Sequence, residues 1–178
     1  MAPSKSIKAA SILETESGPM LEKDKLVRIA RAQHHLPYRI RVWKVSDLYN
    51  QIPRDFDCSS YVMWIYFMLG FKLPRVSKWQ YNYCDKFNGD VLVGDLFFLG
   101  EKRDPKRINH VGLYIGYGLC AEAAGGRAGK VIYSSKDKIE HRIDFVGWKR
   151  VPLDKSEDSF FRFIKDFPKG SENVTLSS

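Results

Sequence analysis

Asp55-Phe56-Asp57-Cys58-Ser59-Ser60-Tyr61-Val62-Met63-Trp64 is the stretch on which the fold turns, because a lone cysteine stands where an irregular polar segment meets an apolar run. Asp57 and Ser59 supply the polar start a helix needs for its open N–H groups. The residues up to 69 are apolar on nearly every helical face, the mark of a central buried helix, and Gly70 supplies its stop. A helix N-terminus carries about half a positive charge, which favours a thiolate over the less reactive thiol, so Cys58 is a candidate nucleophile. A cysteine at a helix start is also often simply a buried residue, and the stretch alone leaves both readings open.

Outward from this helix, the pattern Leu26, Val27, Ile29 and Ala30 among charges predicts a first amphipathic helix over residues 21–35, ended by Pro37. His34-His35 invites a metal reading, but adjacent helical side chains diverge and no third ligand is near in sequence. Residues 37–56 read as a loop in which Tyr38, Trp43 and Tyr49 either pack or wall a cleft. Residues 76–81 are a short helical or looped segment, 94–99 a strand, and 103–109 a charged connection. From His110 the alternation of Val111, Leu113 and Ile115 with Gly112, Tyr114 and Gly116 is the clearest strand signal in the chain. Gly116-Tyr117-Gly118 signals a hairpin turn, with a return strand over 119–124 and further strands at 130–133 and 142–151. Gly125-Gly126-Arg127-Ala128-Gly129-Lys130 has the wrong spacing for a phosphate loop and joins two strands. Asp154 and Glu157 are a capping pair for a last helix to residue 167, whose Phe160, Phe161, Phe163, Ile164 and Phe167 face either the core or a partner. Helices first and antiparallel strands after them make an α+β fold, with the nucleophile at the N-terminus of a central helix packed on the sheet. The expected organisation is a flexible arm (1–20), one domain (21–168) and a polar tail (169–178).

The composition bounds the function. A chain of 178 residues with 44% hydrophobic and 13% aromatic residues is one globular domain. Its net charge of +8 would suit nucleic acid, anionic lipid or an anionic cell-wall polymer. The basic residues are scattered, in Lys102-Arg103, Lys106-Arg107 and Lys149-Arg150, with no nucleic-acid-binding motif beside them, so a nucleic-acid partner is not expected. Cys58, Cys84 and Cys120 lie far apart, without metal-ligand spacing, and their odd number leaves a free thiol, so neither a metal, a cofactor nor a disulfide framework is expected. No stretch reaches the about 20 apolar residues of a membrane span, and residues 1–18 lack the apolar centre of a secretory signal.

A cysteine nucleophile needs a base, usually histidine, and a group that orients it. His110 is the natural base, and if the hairpin turns at 116–118, Glu122 lies directly or diagonally opposite it on the same sheet face. His141 is a rival base in a charged stretch that reads as exposed, and a strand histidine is often only a packing residue.

Several segments in order carry a resemblance to the NlpC family of papain-like cysteine peptidases, which cut peptidoglycan stem peptides. Asp57-Cys58-Ser59-Ser60 resembles the family's Asp-Cys-Ser-Gly motif, with serine for glycine. Residues 73–80 resemble its Pro-Arg-x-Ser-x-x-Gln segment, 94–98 its Gly-Asp-Leu strand, and 110–116 its histidine strand. The resemblance implies that Cys58 attacks a peptide carbonyl, with its own N–H as the natural oxyanion donor, that His110 is base and then acid, and that Glu122 orients His110 where the family commonly has histidine. It implies that Tyr38, Asp57, Ser59, Arg75 and Ser77 line the substrate side, an acidic Asp57 suiting the free amino group of a stem peptide. Cysteine before histidine distinguishes the chain from lecithin-retinol-acyltransferase-like relatives. The resemblance thus implies a papain-like domain hydrolysing the γ-D-glutamyl–diamino acid bond of peptidoglycan through a thioester acyl-enzyme. Its alternatives are a cysteine, histidine-dependent amidase and a non-catalytic wall-binding or virion component. With no export signal read, delivery is expected through phage tail or lysis proteins, or else as a secreted antibacterial effector.

Overall fold

The computed structural model describes residues 21–40 and 53–153 of the chain. The expected arm and tail, the helix after residue 153, Trp43 and Tyr49 lie outside these residues. In order come α1 (Lys23–Ala32), α2 (Cys58–Met68), α3 (Ser77–Tyr83), β1 (Leu96–Gly100), two 3-10 turns (Glu101–Arg103 and Pro105–Arg107), β2 (Ile108–Gly116), β3 (Leu119–Ala124), β4 (Lys130–Ser135), α4 (Lys136–Glu140) and β5 (Phe145–Lys149). The strands form one antiparallel sheet in the order β4-β3-β2-β1-β5. Among the described residues, the expected helices before and after Cys58 and the antiparallel sheet are therefore present.

The central helix α2 is buried along its first nine residues, Cys58 to Tyr66, as its all-round apolar sequence demands. Its C-terminus closes on Gly70, at φ +86°, where the Gly70 N–H bonds the Phe67 carbonyl (2.9 Å) and the Phe71 N–H bonds the Tyr66 carbonyl (2.9 Å). This double closure ends the helix, and the Tyr66 and Phe71 rings meet edge to face over it. Two buried tyrosines tie α2 to its neighbours: the Tyr61 hydroxyl donates to the Ala30 carbonyl of α1 (2.9 Å), and the Tyr66 hydroxyl donates to the Gly94 carbonyl before β1 (2.6 Å).

Alternation sorts each strand between two faces. Leu96, Phe98, Val111, Leu113, Ile115, Ala121, Ala123 and Val131 join α1 and α2 in the main core. Phe97, Leu99, Cys120 and Ile139 form a second, smaller cluster with Tyr114, Phe145 and Trp148. The β2–β3 hairpin turns on Tyr117 and Gly118, both at positive φ as a two-residue hairpin turn requires.

Three local readings change. β2 begins two residues before His110, because the charged connection tightens into two 3-10 turns and releases the chain at Ile108. The strand expected over 142–151 is only Phe145–Lys149; its start is taken by a turn in which Arg142 folds back on Asp144. Ahead of it lies α4, unread in the sequence, which Ser135 caps by accepting the Lys138 N–H. His34 and His35 do not diverge, because both lie past the end of α1 in the turn after Ala32: with His35 at φ 71° the two rings come to 3.7 Å, and His34 stacks on Tyr133 at 4.1 Å.

Gly112 pairs with Phe97 across β2 and β1, and a Cβ there would fall into the Phe97 ring and lie 2.9 Å from the Ala121 carbonyl. Gly112→Ala is expected to lose about 1–3 kcal/mol of stability by overpacking, read from urea unfolding followed by circular dichroism.

Candidate active site

Cys58 is the first residue of α2, and the helix start is built by its neighbours. Asp57 accepts the Ser60 N–H (2.8 Å) and the Ser60 hydroxyl accepts the Asp57 N–H (3.0 Å), a reciprocal cap that satisfies two donors at once. Ser60, where the resembling motif has glycine, is thus a cap residue, and it is fully buried. The Asp57 carboxylate also takes the Ser59 hydroxyl (3.1 Å) and both terminal nitrogens of Arg75, one of them at 3.0 Å. Arg75 donates to the Ser59 hydroxyl as well (2.9 Å). A planar guanidinium matches a carboxylate with two bonds, so the pair fixes direction as well as charge. Gln80, fully buried on α3, donates to the Ser59 carbonyl (3.0 Å) and the Pro74 carbonyl (2.8 Å), tying α3 to the first turn of α2.

Opposite the helix start stands β2. The Cys58 Sγ lies 4.0 Å from the Asn109 carbonyl, a loose contact, and beside His110. His110 Nε2 lies 2.6 Å from Glu122 Oε2, and the other Glu122 oxygen takes the Ser134 hydroxyl. The pairs Leu113↔Ala121 and Tyr114↔Cys120 place Glu122 across from Gly112, one diagonal step from His110. Glu122 is paired with Ile132 and Cys120 with Ser134, so Ser134 is in turn diagonal to Glu122. The sequence does not point to Ser134: the strand expected there ends at residue 133, and only the β3–β4 register brings Ser134 to Glu122. Gln80 was read there only as part of a motif.

Burial pulls the His110 imidazole down, but hydrogen bonding and charge from Cys58 and Glu122 outweigh it and push it up to about 9. Burial raises the Glu122 carboxyl, but bonds from His110 and Ser134 and the charges of His110 and Arg142 hold it below the usual carboxylate range. Both directions describe an imidazolium–carboxylate pair.

Tyr38 joins the site from the segment that lies along β4. Its N–H bonds the Gly129 carbonyl (2.7 Å), and its neighbour Pro37 bridges to Lys130. The ring lies over Gly125, where a Cβ would come within 3.0 Å of it. Burial pushes the Tyr38 hydroxyl up to about 12, the charges of Cys58 and Asp57 add to this, and Arg75 opposes it. The structure therefore gathers Cys58, His110 and Glu122 in one row, with Tyr38, Asp57, Ser59 and Arg75 beside Cys58. Ser77, buried at the start of α3, joins none of these hydrogen bonds among the described residues. His141, the rival base, is exposed and bonds the Asp137 carbonyl on its own helix (2.8 Å). Among the described residues no three His, Cys, Asp or Glu side chains come together as a metal site.

The family model described as NlpC/P60 matches residues 48–146, more than half of the chain. The chain belongs to the NlpC/P60 family. The bifunctional muramidase/DL-endopeptidase CwlT of Bacillus subtilis is 39% identical over 64 residues, 35% of this chain and 20% of that protein. The peptidoglycan endopeptidase RipB of Mycobacterium tuberculosis is 40% identical over 80 residues, 44% of this chain and 31% of that protein. The aligned segments thus span less than a third of either relative. The solved structure of the peptidoglycan hydrolase RipB from Mycobacterium tuberculosis superposes with a TM-score of 0.56 at 28% identity, covering 75% of this chain and 65% of that one. NlpC2 from Trichomonas vaginalis superposes at 0.59 with 21% identity, over 76% of this chain and 49% of that one, a likeness of fold. The NlpC/P60 domain here is a papain-like α+β fold. No helix among its described residues is long and apolar enough to cross a membrane.

The His110 shift has a stability consequence. Its folded value, about 9, lies above the ordinary 6.5, so its contribution is fully present below about pH 6.5 and is lost as pH rises through about 9. The difference in unfolding free energy between the wild-type domain and His110→Gln is expected to shrink over that window, measured by urea unfolding at a series of pH values.

Proposed function

We propose that this NlpC/P60 domain is a cysteine peptidase that hydrolyses an amide bond of the peptidoglycan stem peptide, with Cys58 as nucleophile, His110 as acid and base, and Glu122 as the group that orients His110. The observation that carries the reading is His110 held between Cys58 and Glu122, at the capped start of a buried helix. Glu122 occupies Nε2, which leaves Nδ1 as the nitrogen for the sulfur. An imidazolium beside a sulfur at a helix N-terminus is the setting in which a thiolate forms.

In this mechanism the Cys58 thiolate attacks the scissile carbonyl carbon, and the Cys58 N–H receives the developing oxyanion. The Ser60 N–H is taken by the Asp57 cap and the Tyr61 N–H by the first bond of the helix ladder, so neither competes with the Cys58 N–H in this role. The C–N bond breaks as the imidazolium gives its proton to the leaving amine, and a thioester remains on Cys58. His110 then takes a proton from water, the hydroxide oxygen bonds the acyl carbon, and the acid leaves as the thiolate reforms. Glu122 keeps one imidazole nitrogen a donor throughout and balances its charge.

The substrate side of the reading is the group Tyr38, Asp57, Ser59, Arg75 and Ser77, and the bond we favour is γ-D-glutamyl–diamino acid. The names of CwlT and RipB, an endopeptidase of the DL class and a peptidoglycan endopeptidase, support the polymer and the bond class. The departures from the family pattern do not favour a non-catalytic role: Ser60 completes the helix cap and Glu122 holds the histidine.

The test is digestion of purified peptidoglycan by the wild-type domain and Cys58→Ala, with mass spectrometry of the soluble fragments. Wild type is expected to release stem-peptide fragments cut after the D-glutamyl residue, and Cys58→Ala none. Equal release by both would remove Cys58 as nucleophile, and a cut at the glycan–peptide amide would make the domain an amidase. Glu122→Ala is expected to lower turnover by on the order of 10²-fold or more with little change in KM; unaltered turnover would take Glu122 out of the site.

A further inference from the structure

The strand β3 lies between β2 and β4, and Glu122 takes one hydrogen-bond partner from each of these neighbours. On the β2 side Leu113 faces Ala121 and Tyr114 faces Cys120, a register that sets His110 toward the Ala124 end of β3. On the β4 side Ser134 faces Cys120, and so stands toward the other end. His110, Glu122 and Ser134 therefore form an oblique row across three strands. Oε2 of Glu122 meets His110 Nε2 at 2.6 Å, the Ser134 hydroxyl donates to Oε1, and the two bonds draw the carboxylate in opposite directions along its own strand.

A glutamate carboxylate with a single partner turns freely about its last bond, where the torsional wells are broad. With Oε1 already bonded from β4, only Oε2 is left for the histidine, and turning breaks one bond or the other. The Glu122 side chain is 6% exposed, so a lost partner leaves a buried charged acceptor unsatisfied. Among the described residues, His110 and Ser134 are the groups that hydrogen-bond this carboxylate.

The Ser134 hydroxyl is separable from the backbone that carries it. Cys120↔Ser134 and Leu119↔Ser135 pair the strand with β3, the Lys136 N–H donates to the Gly118 carbonyl (2.8 Å), and Ser135 caps α4. Each of these contacts uses another group, so removing the hydroxyl leaves them in place. Threonine keeps the hydroxyl and suits a strand, which makes Ser134→Thr the conservative variant.

We propose that Ser134 is a positioning residue of the reaction: its hydroxyl holds Glu122 aimed at His110 Nε2, and so keeps His110 Nδ1 turned to the Cys58 sulfur. This rests on Glu122 orienting His110 in the proposed mechanism. The groups facing Glu122 are His110 of β2, Ser134 of β4, the Cys120 thiol on its own strand and the Arg142 charge from the turn before β5. Burial, and after it the Glu122 charge, push the Cys120 thiol up to about 12, so it stays uncharged and does not compete for the Ser134 hydrogen.

A positioning role and a merely structural one differ in how Ser134→Ala combines with a change at Glu122. Ser134→Ala, Ser134→Thr, Glu122→Ala and the double variant Ser134→Ala/Glu122→Ala are compared with wild type in two measurements. One is turnover on peptidoglycan; the other is the rate of Cys58 alkylation by iodoacetamide, mapped by mass spectrometry. At about pH 6 an unassisted thiol is almost wholly protonated, so alkylation there reports the help that Cys58 receives. Ser134→Ala is expected to lower both rates by about tenfold, the scale of one lost hydrogen bond to a charged group, with little change in KM. Ser134→Thr is expected to stay near wild type. In the Glu122→Ala background, loss of the Ser134 hydroxyl is expected to lower neither rate further, because the two groups act as one unit.

Equal losses from Ser134→Ala in both backgrounds, or alkylation that ignores Ser134→Ala, overturn the proposal. Alkylation that ignores Glu122→Ala overturns it together with the orienting role of Glu122. Because alkylation uses no substrate, the two readings fail separately. A domain that Cys58→Ala inactivates on peptidoglycan, with alkylation blind to Ser134, sinks the Ser134 proposal alone. A domain whose alkylation follows Ser134 but which leaves peptidoglycan intact sinks only the substrate reading.

Discussion

The Asp57 carboxylate is the constraint on which the rest of the site depends. It is almost wholly buried, and a buried carboxylate without partners is costly enough to unfold a helix start. Its partners are therefore obligatory, and each one fixes something else: the Ser60 N–H fixes the first turn of α2, and Ser59 and Arg75 fix the approach to the cleft, while Gln80, bonded to the Ser59 carbonyl, locks α3 against the same turn. Cys58 is placed by these contacts rather than by any of its own. The 4.0 Å contact of its sulfur with the Asn109 carbonyl is too loose to hold it.

The sheet supplies the other half of the site by a simpler rule. With a period of two, residues 110, 112 and 114 share one face of β2, and 120 and 122 share the matching face of β3. The register then decides who touches whom. Gly112 opposite Glu122 has no side chain, which leaves room for the Phe97 ring on one side and for the diagonal reach from Glu122 to His110 on the other. A larger residue at 112 would crowd both. Ser134 closes the row from β4, so that each oxygen of Glu122 has a partner and the carboxylate has little freedom to turn away from the histidine.

Much of this was legible residue by residue. The all-round apolar run after Cys58 reads as a buried helix because no other element hides so many consecutive large side chains, and the alternation from Val111 onward reads as a strand for the equivalent reason. His110 and Glu122 were legible as partners because the turn signal at 116–118 sets their parity. The missed elements share a cause. The α4 helix is five residues long and mostly charged, too short to show a period, and it forms because Ser135 caps it and Ile139 is buried beneath it. The fork of Arg142 on Asp144 interrupts a run that looks like strand, since a side-chain contact two residues apart leaves no mark on hydrophobic patterning. The helix ending at Ala32, with His35 at positive φ in the turn that follows, brings together two rings that helical geometry would separate.

By itself, then, the sequence determined the class of fold, the helix that carries Cys58, the hairpin that carries His110 and Glu122, and the family motifs, because periodicity, turn residues and motif spacing are properties of the chain in order. Only the tertiary structure decided that Glu122 meets His110 diagonally, that Ser134 holds it there, that Ser60 and Gln80 brace the helix start, and that Tyr38 and Arg142 stand at opposite edges of the sheet. These are distances between residues far apart in the chain. They follow from register and from the need of each buried polar group to find a partner, and neither is fixed until the elements have packed.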